Sequence, residues 1–236
     1  MKGSTAVLLY RAAQRLRRAW IVALIAAGWL APGTRGAESE PQALAQALQR
    51  KYDTVRDFST DFVHSYQGGV LRKTVTERGR LLVKKPGMMR WAYSGEDQKV
   101  FVSDGRKMYS YIPADKQVYV GSVPSDDQAS TPALFLAGKG QLLRDFVISA
   151  GALPSGAPAG TTALKLVPKR SDGDYEWLAL VVDEASLQLR MLVTGDKQGG
   201  QSTFAFTNMK ENVGLSDREF TFRIPRGVDV VTDTPR

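Results

Sequence analysis

Gly79-Arg80-Leu81-Leu82-Val83-Lys84-Lys85-Pro86-Gly87-Met88-Met89-Arg90-Trp91-Ala92-Tyr93 opens the most informative run of this chain. Val100-Phe101-Val102-Ser103-Asp104-Gly105-Arg106-Lys107-Met108-Tyr109-Ser110-Tyr111-Ile112-Pro113-Ala114-Asp115-Lys116-Gln117 completes it. Short stretches rich in aromatic and aliphatic residues alternate here with charged turns, the signature of consecutive strands. Pro86-Gly87 ends one strand, and Asp104-Gly105 is a two-residue hairpin signal. No side chain in the run has an evident catalytic role. A curved sheet with one apolar face binds apolar things.

The flanking sequence reads the same way. Leu44, Leu48, Tyr52 and Val55 fall on one helical face, and Ser39 and Pro41 suit a helix start, which predicts a helix over 39–55. Phe58, Thr60, Phe62, His64 and Tyr66 alternate with polar neighbours as a half-buried strand does. A long strand over 70–84 follows, with Gly79 expected as a bulge or bend. Thr131-Pro132 opens a short apolar helical segment over 133–137, and residues 142–148 suit either helix or strand. Residues 151–160 form a loop of low complexity. Further strands are expected over 163–167, 175–183, 187–194, 202–209 and 219–224. Ten or eleven strands with few helices argue a mainly β (α+β) fold built as an antiparallel meander.

Residues 1–36 are expected to be a cleaved export signal. Lys2, Arg11, Arg15, Arg17 and Arg18 make a basic start, an apolar run over 19–30 follows, and Thr34 and Gly36 suit a cleavage site. That apolar run is shorter than the roughly 20 residues needed to span a bilayer. The whole chain carries 32 Lys+Arg against 24 Asp+Glu, for a net +8. The first 36 residues hold six of the bases and no acid, which leaves 26 against 24. The basic excess is therefore mostly in the leader, and no global charge argues for nucleic acid. Residues 37–236 are expected to form one domain. The chain has no cysteine, so neither a disulfide framework nor a thiolate metal site is available, nor a lipid attachment cysteine.

Reactive chemistry is sparse. His64 is the sole histidine, and no nucleophile-elbow motif accompanies it. Zinc hydrolase chemistry needs more imidazole or thiolate than this. Asp126-Asp127 and Asp183-Glu184 are adjacent carboxylates that point apart in a strand or turn. Asp172-Gly173-Asp174 reads as a turn before a calcium loop, and Gly138-Lys139-Gly140 lacks the phosphate-loop pattern. No catalytic site, metal or cofactor is assigned. Trp91, Tyr93, Phe101, Tyr109, Tyr111 and Tyr119 make either an ordinary core or a concave lipid lining, and periodicity does not separate the two.

Val83-Lys84-Lys85-Pro86-Gly87-Met88-Met89-Arg90-Trp91, Val102-Ser103-Asp104-Gly105, Tyr111-Ile112-Pro113 and Thr131-Pro132 resemble, in order and spacing, the outer-membrane lipoprotein carrier family, LolA. Phe220-Thr221-Phe222-Arg223-Ile224-Pro225-Arg226-Gly227-Val228 does so too. The resemblance implies an unclosed antiparallel β-barrel with helices as a lid over a hydrophobic cavity. It implies a periplasmic, monomeric, non-catalytic chaperone. Acylated lipoproteins would arrive from an inner-membrane LolCDE-type transporter and pass to an outer-membrane LolB-type receptor. By the same resemblance, Phe62, Leu82, Met89, Trp91 and Phe101 are cavity or rim positions, and Leu134, Phe135 and Leu136 face inward from the lid. Family members often carry arginine where this chain has Lys85, so Lys85 or nearby Arg90 is the expected lid latch. The competing readings are a carrier of another amphiphile such as a glycolipid, a periplasmic sensor of the RseB type, a LolB-like receptor and an exported enzyme. The sensor needs an added domain and the receptor a cysteine.

Overall fold

The computed structural model describes residues 40–68, 73–95, 98–123, 136–170 and 175–232. The expected export signal, Asp126-Asp127, Leu134, Phe135 and Asp172-Gly173-Asp174 lie outside the described residues. Helix α1 (Glu40–Thr54) has Glu40 in its first turn and Lys51 in its last, as the helix dipole favours. Its buried stripe is Ala45, Leu48 and Tyr52, three or four residues apart.

Among the described residues, twelve strands form one sheet. They are β1 (Asp57–Gln67), β2 (Thr74–Lys84), β3 (Met88–Ser94), β4 (Val100–Asp104), β5 (Lys107–Ile112) and β6 (Gln117–Ser122), then β7 (Phe146–Ala150), β8 (Thr161–Pro168), β9 (Trp177–Asp183), β10 (Leu189–Gly195), β11 (Gln201–Glu211) and β12 (Asp229–Thr232). The order is β12-β6-β5-β4-β3-β2-β1-β11-β10-β9-β8-β7, so the sheet is unclosed. Neighbours are antiparallel except β12, which lies parallel to β6. The expected unclosed antiparallel architecture is present. Residues 142–148 are both things expected of them in turn: a single helical turn, α2 (Leu142–Asp145), and then β7.

The sheet curves around one face. β3 and β11 are separated by β2 and β1, which would place them about 14 Å apart on a flat sheet. Yet the Trp91 and Phe204 ring centroids are 5.1 Å apart, so both rings lean into a concavity. Helix α1, residues 136–137 and Leu142 join the inner-face side chains in one core.

Three local expectations change. Gly79 is no bulge: it continues the ladder, paired with Phe62 on one side and Tyr93 on the other. Its missing Cβ is needed because a methyl there would run into the Ala92 carbonyl and the Phe62 ring. The irregularities sit elsewhere. One is at Asn208 (φ 54°), opposite the Ser59–Asp61 shift, and the other is at Arg190. The second breaks the simple alternation of β10. Leu189 and Leu192 both face the core, while Met191 packs with Ala163 and Val181 on the outer face.

The third change concerns residues 219–224. They form no strand, because Ser216 accepts a bond from the Arg218 amide and starts a 3-10 turn over Asp217–Phe220. This C-terminal segment instead crosses the outer face. Phe220 is 1% exposed, and Phe222 packs against Tyr109 and Tyr111 at centroid distances of 5.5 and 5.9 Å. Lys84 holds it through the Leu215 carbonyl (2.7 Å) and the Asp217 carboxylate (2.6 Å). Asp57 holds its start by accepting from the Val213 and Gly214 amides. Replacing Phe220 with alanine should therefore cost about 3–5 kcal/mol of unfolding free energy, read as a lower urea midpoint at unchanged slope.

Candidate functional site

Strand register settles which side chains share the inner face. Phe62 stands opposite Gly79, which stands opposite Tyr93. Trp91 stands opposite Phe101, and Met89 opposite Ser103. From the other side, β11 brings Phe206 opposite Phe62 and Phe204 opposite His64. Phe62, Met89, Trp91 and Phe101 are thus gathered on one face. Leu82 is not among them: its partners are Ser59 and Arg90, and it emerges on the outer face between Leu81 and Val83, which point inward.

Phe62 is the hub of an aromatic cluster. Its ring meets Trp91, Tyr93 and Phe204 edge-on at centroid distances of 5.2, 5.0 and 6.1 Å. Such pairs contribute about 0.5–1.5 kcal/mol each beyond their buried area. This part of the concavity is filled and belongs to the core. Toward β4–β6 the filling stops. A cleft of about 210 Å³ opens there, lined by Met89, Phe101, Met108, Ser110 and Tyr119 among others. Met108 and Tyr119 are 40% and 47% exposed although they point to the inner face. Pockets that enclose drug-sized ligands span roughly 300–1,000 Å³, so a long ligand needs neighbouring elements to move aside. Of the six aromatics that the sequence leaves between core and lining, Trp91, Tyr93, Phe101 and Tyr119 realise both on the inner face, whereas Tyr109 and Tyr111 lie on the outer face against Phe222.

Lys85 lies where three elements meet. Its amide donates to the Arg56 carbonyl (2.8 Å), and its ammonium donates to the Tyr52 carbonyl in the last turn of α1. Carbonyls there lack an intrahelical donor and carry the negative end of the helix dipole, so a point charge suits them. The lysine stem lies against Gly138 (φ +80°), where any side chain would collide with it. Alongside, the Gly87 amide donates to the Ala137 carbonyl (2.9 Å). Burial lowers the Lys85 pKa from its usual value, opposed by the nearby Asp53 carboxylate. Leu136, the described part of the expected lid, is 1% exposed and packed in the core. Arg90 is elsewhere: it is on the outer face, donating to the Glu219 carbonyl (3.4 Å) of the C-terminal segment.

His64 carries more than its sequence context suggests. Its ring stacks on Phe204 at 4.1 Å and 6°. Nδ1 lies 3.2 Å from the Tyr93 hydroxyl and Nε2 3.3 Å from the Ser202 hydroxyl. Glu77 is 3.8 Å away and is itself paired with Lys99 at 2.6 Å. Among the described residues, no group of three or more His, Asp or Glu is arranged to hold a metal ion. Burial lowers the His64 pKa below its usual 6.5, Glu77 opposing and Lys99 assisting. The unfolded chain then binds the proton more readily, so His64 contributes stability above about pH 6.5 that is lost as pH falls through the folded value. Thermal unfolding should move to lower temperature between about pH 7.5 and pH 5, and His64→Phe should flatten that dependence.

Comparison with known proteins places this geometry. The family model described as outer membrane lipoprotein carrier protein LolA matches residues 53–223. An outer-membrane lipoprotein carrier protein of Chromohalobacter salexigens is 30% identical over 190 residues, covering 80% of this chain and 87% of the relative. One from Hahella chejuensis is 30% identical over 192 residues, covering 80% and 88%. A LolA superfamily protein from Nitrosomonas europaea superposes with a TM-score of 0.41 at 16% identity, covering 75% of this chain and 97% of that one. The matched span runs from the end of α1 through β1–β11 and into the segment that crosses the outer face, and the chain belongs to the LolA family of outer-membrane lipoprotein carriers.

Proposed function

We propose that this protein is a periplasmic carrier that shields the acyl chains of lipoproteins between two membranes. The observation that carries the reading is the half-filled inner face: a packed aromatic wall continues into an apolar cleft with exposed Met108 and Tyr119. Each methylene taken from water is worth about 0.8 kcal/mol, so a single acyl chain needs such a surface to travel. Met89, Trp91 and Phe101 form the boundary between the filled and open parts, and Phe62 supports them from beneath. The relatives named as lipoprotein carriers point the same way.

In this reading residues 1–36 direct export and are removed, and no reaction is catalysed. Cargo comes from an inner-membrane LolCDE-type transporter and leaves to a LolB-type receptor. Lys85 acts as the latch. It joins α1 to the β2–β3 turn and runs against Gly138, so entry of a long chain requires this junction to loosen. Leu136, buried in the core, is the described end of the lid segment. A single carbonyl acceptor explains why lysine suffices without the arginine fork.

Two substitutions test the carrier and the latch separately. Met108→Glu puts a charge on the cleft wall and should weaken binding of the uncharged probe N-phenyl-1-naphthylamine by at least about tenfold, read by fluorescence. Undiminished binding would remove the cleft from the site. Lys85→Met keeps the stem and removes the donor, and should speed release of a bound lipoprotein several-fold. Unchanged release in both Lys85→Met and Lys85→Arg would remove the latch.

A further inference from the structure

Toward the Gln67 end of β1 the inner face changes character within two residue pairs. Along β1, Phe62 gives way to His64, and along β2, Gly79 gives way to Glu77. Across the β3–β4 connection, Lys99 stands beside Tyr93, whose amide donates to the Lys99 carbonyl (2.9 Å). The Lys99 ammonium lies over the Tyr93 ring, 5.2 Å from its centroid, and is fixed by Glu77 at 2.6 Å. His64 joins the same group through Tyr93 and packs flat on Phe204. The Tyr93 and His64 rings thus touch one charged pair, and Phe204 reaches it through His64.

Several properties suit this group to an acceptor. An ammonium has three donors, and Glu77 takes one. Lys99 and Glu77 are 23% and 22% exposed, so they are reachable from the concavity yet held in place. The pair is neutral as a whole, which favours an uncharged carbonyl and, through Glu77, opposes a free carboxylate. A carbonyl at the head of an alkyl chain would meet Lys99 as the methylenes run past Tyr93 onto Phe101, 5.8 Å away, which lines the open cleft.

We propose that Lys99, positioned by Glu77 and the Tyr93 ring, receives the ester or amide carbonyl of an acyl chain lying in the open cleft along Phe101. This rests on the carrier reading and adds a specificity to it: linked acyl chains are preferred over chains without a carbonyl. His64 is a positioning residue, which keeps Tyr93 in place while remaining uncharged.

The test compares 1-O-dodecylglycerol, an ether, with 1-lauroylglycerol, the corresponding ester, and N-lauroylglycinamide, an amide, by calorimetric titration of the whole protein. The ester or the amide should bind about tenfold tighter than the ether, the size expected for one charge-assisted hydrogen bond. The larger preference identifies the linkage the site is built for. Lys99→Met should abolish the difference by bringing ester and amide binding to the level of the ether, while Lys99→Arg should retain it. Equal binding of all three by the wild type, or full discrimination in Lys99→Met, would overturn this proposal alone. Failure to bind any of the three would overturn the carrier reading with it.

Discussion

Phe62 lying across Gly79 is the contact on which the concave face depends. A Cβ at Gly79 would push the Phe62 ring away, and with it the hub that Trp91, Tyr93 and Phe204 meet edge-on. These rings come from β1, β3 and β11, of which β3 and β11 would lie about 14 Å apart on a flat sheet. Their convergence is therefore both a consequence of curvature and a force that maintains it. The open edges at β7 and β12 follow from the same geometry, since a sheet that wraps a filled aromatic hub need not meet its own end.

Two further devices sit on this frame. On the inner side, Lys85 ties the end of α1 to the β2–β3 turn through one carbonyl, while Gln42 donates to the Ile148 carbonyl, Lys51 pairs with Glu211 and the Leu189 amide donates to the Tyr52 hydroxyl. On the outer side, the C-terminal segment packs Phe220 and Phe222 over β3–β6, anchored by Asp57 and Lys84.

Much of this was legible in the sequence. Alternation gave β1 nearly to the residue, and the Asp104-Gly105 hairpin fell where expected. The misses have local causes. Leu82 lies next to two inward residues in an apolar triplet, and only register decides which of the three turns outward. Bulges at Asn208 and Arg190 shift the faces of β11 and β10 without any composition signal, except that asparagine tolerates a positive φ. Residues 219–224 carry strand-like alternation, yet the Ser216 cap and the apolar outer face take them instead. His64 and Lys99 belong to different strands and unremarkable contexts, so nothing along the chain announces that Tyr93 brings them together. Arg90 is close to Lys85 in sequence but on the opposite face.

On the carrier reading the inner face holds acyl chains attached to protein. Mass spectrometry of the protein purified gently from the periplasm decides this. Co-purifying N-terminally acylated peptides or lipoproteins are expected, displaced by the Met108→Glu substitution. A protein that carries only free lipids, or that is consistently empty, would contradict it.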